Sequence, residues 1–128
     1  SIGTNDLTQY TMAADRMDGE LAPLLNAWQP AVLQMIKFAC EGGRATGKPI
    51  GVCGEAGGDP LLALVLTGLG VASLSMAPSK VNAVRAALRL HDRATCQQMA
   101  AFAVDAPTAE EGRNNVLKLV SPTMLSLI

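Results

Sequence analysis

Three short apolar segments, each closed by glycine or polar residues and each followed by a helical stretch, constrain this chain more than anything else in it. Ser1–Thr4 reads as the end of a strand, Ile50–Cys53 as a short unbroken strand buried on both faces, and Val71–Met76 as a third. The intervening segments carry helical signals. Asn5 and Asp6 stand where they would cap a helix over Leu7–Ala14, and a loop follows from Arg16 to Gln29. Pro30 suits a first helical turn, Val32, Met35, Ile36 and Ala39 share one helical face, and Gly42, Gly43 and Gly47 close it before Pro49. Asp59-Pro60 opens a helix over Leu61–Thr67 that stops at Gly68-Leu69-Gly70. Pro78 introduces another, with Val81, Val84, Ala87 and Leu88 on one face. Two more helices are expected over Asp92–Val104 and Thr108–Val120, and Thr108 and Glu111 have the spacing of a capping box.

The resulting order, β-α-β-α-β-α-α-α, has crossovers of the length that parallel strands require. The expected fold class is therefore α/β. Three parallel strands cannot close a barrel, but they suit one flank of a (β/α)₈ barrel, where functional residues gather at the C-terminal ends of the strands. Here those ends are Asn5-Asp6, Cys53-Gly54-Glu55 and Ser75-Met76, the most chemically loaded positions in the chain.

Composition narrows the function classes. At 128 residues the chain is the size of one domain, and 49% hydrophobic against 16% charged residues fits a packed core. A net charge of −1 without a basic stripe gives nucleic acid no footprint. The three cysteines form no CxxC pair and have no histidine at metal-ligand spacing, which points to a reducing cytoplasm and away from a disulfide framework or zinc site. The apolar run Leu61–Leu66, which no other run exceeds, is far too short to span a membrane, and no signal peptide is visible. There is no GxGxxG and no Walker-type loop.

The strand ends admit two readings each. Asn5 and Asp6 are a helix cap with an acidic first-turn residue, or a phosphate contact beside a carboxylate for a hard cation such as Mg²⁺. Cys53 is a small core residue, or a protonated thiol able to act as a general acid between Gly51 and Gly54, with Glu55 two residues on. Arg16 is a surface cation, or a guanidinium folded back over the strand ends to grip phosphate. Cys40 and Cys96 fall on helical faces with apolar neighbours and read as core, and His91 reads as a helix cap at a helix–helix junction.

The segments SIGTNDLTQYTMAADR, IGVCGEAGGDP and GLGVASLSMAP, in this order and spacing, resemble the C-terminal domain of the phosphoenolpyruvate-utilising enzymes, over about residues 1–105. Within that family the nearest resemblance is to the enzyme I branch of the bacterial phosphoenolpyruvate:sugar phosphotransferase system. The resemblance implies the last three strand–helix units of a (β/α)₈ barrel that binds phosphoenolpyruvate and Mg²⁺, with residues 106–128 forming a C-terminal helix and tail. Carried over by position, Asp6 resembles one of two carboxylate Mg²⁺ ligands, and Asn5 and Arg16 resemble phosphate contacts. Cys53 resembles the residue that exchanges a proton with the methylene carbon of enolpyruvate.

In that family branch the phosphoryl group passes to a histidine on a separate N-terminal domain and then to the carrier protein HPr, which starts sugar uptake. The branch forms homodimers through this domain. The second Mg²⁺ carboxylate, two further substrate arginines and the phosphorylated histidine lie outside the matching segments. The chain is thus expected to be a piece of a larger phosphotransferase, inactive alone. Pyruvate phosphate dikinase, which shares CGExGG with Cys53–Gly58, and phosphoenolpyruvate synthase, which typically has glutamine at the position of Glu55, are the competing relatives. A non-catalytic dimerisation module is the alternative from another class.

Overall fold

In a computed structural model, which describes residues 1–126, three parallel strands lie in the order β1 (Ile2–Gly3), β2 (Gly51–Cys53), β3 (Ser73–Leu74). Ile2 stands opposite Val52 and Gly3 opposite Cys53; Gly51 stands opposite Ser73 and Val52 opposite Leu74. Because side chains alternate along a strand, Ile2, Val52 and Leu74 form one row, which packs toward the helices. The opposite row is Gly3 and Cys53, flanked by Gly51 and Ser73, and it stays half-open. The expectation of a strand buried on both faces therefore holds for one face of β2 only: Val52 is buried, whereas Gly51 and Cys53 are half-buried.

The helices connect and cover the sheet. They are α1 (Thr4–Met12), α2 (Pro30–Thr46), α3 (Pro60–Leu69), α4 (Val81–Arg89), α5 (Arg93–Asp105), α6 (Ala109–Leu117) and a short α7 (Pro122–Leu125). Asp59 caps α3 by accepting from the N–H groups of Leu61 and Leu62 at 3.0 and 3.2 Å, with Pro60 at the first helical position. The same carboxylate accepts from the Trp28 indole at 3.4 Å, which ties the loop before α2 to the start of α3. Asp92 caps α5 by accepting from Thr95 N–H, and Thr108 caps α6 by accepting from Glu111 N–H at 3.1 Å, one of the two bonds of the capping box that the Thr108–Glu111 spacing predicted.

Helix α3 is the centre of the molecule. Leu61 through Leu66 are all at most 1% exposed, the behaviour of a helix that is apolar all round. It packs against α2 and α4 beside it, and α5 lies across it, with α6 packed on α5. The layers therefore run sheet, then α2–α3–α4, then α5–α6.

Several expectations shift in register. The buried seam of α2 is Val32, Leu33, Ile36, Cys40 and Gly43, so Met35 faces outward, 46% exposed. Gly42 and Gly43 lie within α2, and Gly68 lies within α3; the actual stops are Gly47 and Gly70. The third strand is shorter than Val71–Met76, because only Ser73–Leu74 pairs with β2. Helix α6 ends at Leu117, and α7 forms inside the expected tail; Leu127 and Ile128 of that tail lie outside the described residues. Among the described residues, no helix is long and apolar enough to cross a membrane.

Candidate active site

The parallel register brings the strand ends to one level. Gly3 lies beside Cys53, and the N–H of Ser75 reaches the carbonyl of Val52 at 2.9 Å. From Gly3 the chain turns directly into α1. Thr4 is already helical and buried, and its hydroxyl donates to the Cys53 carbonyl at 3.1 Å, locking the start of α1 to the end of β2. Gly3 therefore holds the cap position, with no side-chain cap bond, and the capping role expected of Asn5 is not formed. Asn5 and Asp6 instead project from the first exposed turn of α1, where a carboxylate is favoured by the helix dipole.

Arg16 returns to this turn by a specific route. Helix α1 ends at Ala13, left-handed at φ 51°, and Ala14 bonds back to the Gln9 carbonyl at 3.0 Å. The Asp15 carboxylate then accepts from Met17 N–H at 2.8 Å in a tight Asx turn. The reversal carries the Arg16 guanidinium to Asp6, where Nη1 donates to Oδ1 at 3.1 Å. With side chains 48% and 73% exposed, the pair contributes little to stability, so what it fixes is position.

Gly54 turns the other strand end. Its φ of 91° and ψ of −170° suit glycine alone, and an added Cβ would sit 2.9 Å from the Thr4 hydroxyl oxygen. This close approach of β2 to the start of α1 delivers Glu55 toward Asn5 and Arg16. The three residues, with Leu25, line a hollow of about 170 Å³. Glu55 also borders a hollow of about 600 Å³ with Gly54, Gly58, Asp59, Met76 and Lys80. Ser75 borders a different groove, beside β3 and α4.

Cys53 lies at the sheet end with its thiol half-buried, donating to the Ile2 carbonyl at 3.5 Å. The other two cysteines are buried core residues, as their apolar neighbours implied. His91 is a structural cap. Its Nδ1–H donates to the Ala87 carbonyl at 2.8 Å, and Nε2 accepts from Ser121 N–H at 3.0 Å, which places the proton on Nδ1 and leaves neither nitrogen for chemistry.

The structure thus gathers Asn5, Asp6 and Arg16 at one mouth, with Cys53 on the adjoining sheet face, and it adds Glu55, Leu25 and Lys80. Leu25 and Lys80 carry no sequence signal of their own, since loop and turn geometry alone bring them there. Among the described residues, no group of three or more His, Cys, Asp or Glu side chains is placed to hold a metal ion. Mg²⁺ often takes only one or two protein carboxylates, the rest being water and phosphate oxygen. Asp6, exposed at the mouth and ion-paired through one oxygen, fits one such ligand position and does not make a site alone.

The family model of the PEP-utilising enzyme PEP-binding domain matches residues 1–93. The chain is 50% identical over 121 residues to a phosphoenolpyruvate-protein phosphotransferase of Streptomyces coelicolor, covering 94% of this chain and 22% of that protein. It is 48% identical over 113 residues to a multiphosphoryl transfer protein of Xanthomonas campestris pv. campestris, covering 88% of this chain and 14% of that protein. Identity to a phosphoenolpyruvate-protein phosphotransferase of Latilactobacillus sakei is 38% over 118 residues, 92% of this chain and 21% of the relative. The chain spans about a fifth or less of the length of these relatives.

Proposed function

The chain belongs to the PEP-utilising enzymes through their PEP-binding domain, and on that premise we propose that it is part of an enzyme I-type phosphoenolpyruvate-protein phosphotransferase. The three strand–helix units form one flank of a (β/α)₈ barrel whose mouth is the cluster at the strand ends. One observation carries this reading: Asn5, Asp6, Arg16 and the Cys53 thiol stand at the same end of an in-register parallel sheet, where such barrels place their chemistry.

In this reading Asp6 would hold Mg²⁺ as one of its carboxylate ligands, a group that would supply charge stabilisation for the phosphate and the enolate. Asn5 donates to a phosphate oxygen, and Arg16 offers its fork of N–H groups to the same phosphate. Departure of the phosphoryl group breaks the bond between phosphorus and the bridging oxygen and leaves that oxygen, with its electron pair, on the enolate of pyruvate. Cys53 gives its thiol proton to the methylene carbon, and the thiolate then recovers a proton from water. The phosphoryl acceptor is a histidine elsewhere in a longer protein, from which HPr receives the group. His91, with both nitrogens engaged, does not serve. Glutamate at position 55, where the synthase branch typically has glutamine, disfavours that branch.

Exchange of this chain for the matching segment of the Streptomyces coelicolor relative tests the reading. The chimera is expected to phosphorylate itself from phosphoenolpyruvate with Mg²⁺. Cys53→Ala is expected to abolish exchange of pyruvate methyl hydrogens with deuterated solvent while leaving phosphoenolpyruvate binding intact. A folded chimera that exchanges those hydrogens equally well without Cys53 would sink its assignment. Conversion of phosphoenolpyruvate by the 128-residue chain alone would sink the claim that it is one part of the catalytic unit.

A further inference from the structure

Glu55 stands where three hollows meet. It shares one with Asn5, Arg16 and Leu25, a second with Lys80 and Met76, and a third with Asn26, Trp28 and Asp59. The glycine-only geometry of Gly54 and its contact with Thr4 fix where Glu55 leaves the sheet. Yet Glu55 has no ion-pair partner; among the described residues the only ion pair is Arg16 with Asp6. Two carboxylates therefore flank one guanidinium, one bonded to it and the other across a hollow of about 170 Å³.

Building on the reading of Asp6 as a cation ligand, we infer that Glu55 is the positioning residue for Arg16. A divalent cation that takes the Asp6 carboxylate displaces the guanidinium, which crosses the hollow to Glu55. The exposed Arg16–Asp6 pair is weak enough to yield to such a cation. A guanidinium has five donors in a rigid fork, so one edge bonded to Glu55 leaves the other edge facing a substrate phosphate. Arg16 is thereby parked on Asp6 while the site is empty and handed to Glu55 as it loads.

The Nε–Hε NMR signal of Arg16 in the 128-residue chain reports its partner. Without metal, Asp6→Asn removes the present partner. The Arg16 signal is then expected to shift to a new position, and Asp6→Asn combined with Glu55→Gln is expected to lose that shift. The same Arg16 signal in both backgrounds overturns the inference and leaves the cation reading untouched. With MgCl₂ titrated into the chimera with the Streptomyces coelicolor relative, whose remaining segments complete the site, the backbone amides of Asn5 and Asp6 should move together with Arg16. Glu55→Gln should keep the amide response and lose the Arg16 response, and Arg16→Gln should bind Mg²⁺ about two- to fivefold more tightly, as loss of an exposed competing ion pair allows. Amide shifts with an unmoved Arg16 overturn the inference alone. No amide response at any Mg²⁺ concentration overturns the reading of Asp6, and the inference with it.

Discussion

Cys53 lies on the half-open face of the sheet, whereas Cys40 and Cys96 are each 2% exposed inside the helical layers. Burial pushes both interior thiols above their ordinary range, and for Cys40 it outweighs the opposing pull of Arg44. Only the thiolate attacks an electrophile such as maleimide, and the reagent must reach it, so these two are doubly protected. A maleimide at neutral pH is expected to add one label to the native chain, at Cys53, and two more only in denaturant, as peptide mass spectrometry would show. Comparable labelling of all three would contradict the burial. This distinction was legible in the sequence, because Cys53 alone stands among glycines at a strand end. The Arg16–Asp6 bond was legible only as a direction. Its geometry depends on left-handed Ala13, and nothing about an alanine announces that conformation.

Glycine had two roles in the helices, and pattern alone did not separate them. Gly47 and Gly70 stop helices, but Gly68 is where α5 crosses α3: a Cβ there would fall onto the backbone carbonyl of Cys96. Gly43 is similar, since a Cβ would lie 2.6 Å from the Lys48 carbonyl oxygen. Read in sequence, Gly68 looks like a stop, because the crossing helix that needs it lies far along the chain. Gly68→Ala should gain about 1 kcal/mol of helix propensity. It should lose about 1–3 kcal/mol or more to overpacking, because the obstacle is backbone and cannot rotate away. Net destabilisation, seen as a lower urea midpoint with unchanged m-value, is the expected result; a stabilised variant would mean that α5 does not press on α3. The cap of α5 carries a pH signature. The hydroxyl of Thr95 and, at 2.8 Å, its backbone N–H hold the Asp92 carboxyl below its ordinary value. A lowered folded-state value means the contribution is complete above the ordinary value of 3.8 and disappears as pH falls through the lowered one. Asp92→Ala should therefore lower the urea midpoint at pH 7 and make a smaller difference near the acid end. An unchanged gap at both pH values would show that Asp92 does not cap α5 as a carboxylate.

At the scale of the whole molecule, the helical side is finished and the sheet side is not. Helix α3 is enclosed by α2, α4 and α5, but β1 and β3 each pair only with β2 among the described residues. The βα order and the shared level of the strand ends followed from the alternation of apolar segments and Gly/Pro punctuation. The enclosure of α3 by a third layer did not, because a periodic pattern shows that a face is apolar and not which element covers it. An edge strand presents backbone N–H and C=O groups without partners, and beside β3 runs a groove lined by Val71, Leu74, Val81, Val84 and Leu88, with Arg85 and Arg93 also on its wall. Unpaired backbone beside apolar surface favours pairing with another chain unless a charge or proline intervenes, and β3 contains neither. Sedimentation velocity is thus expected to show concentration-dependent association of the isolated chain. Ser73→Lys, which places a charge on exposed β3, should shift it toward monomer without lowering the urea midpoint measured at low concentration. Were the chain to sediment as a monomer at high concentration, the edge would be protected within the chain itself, and association through the open sheet would fall as an account of how it assembles.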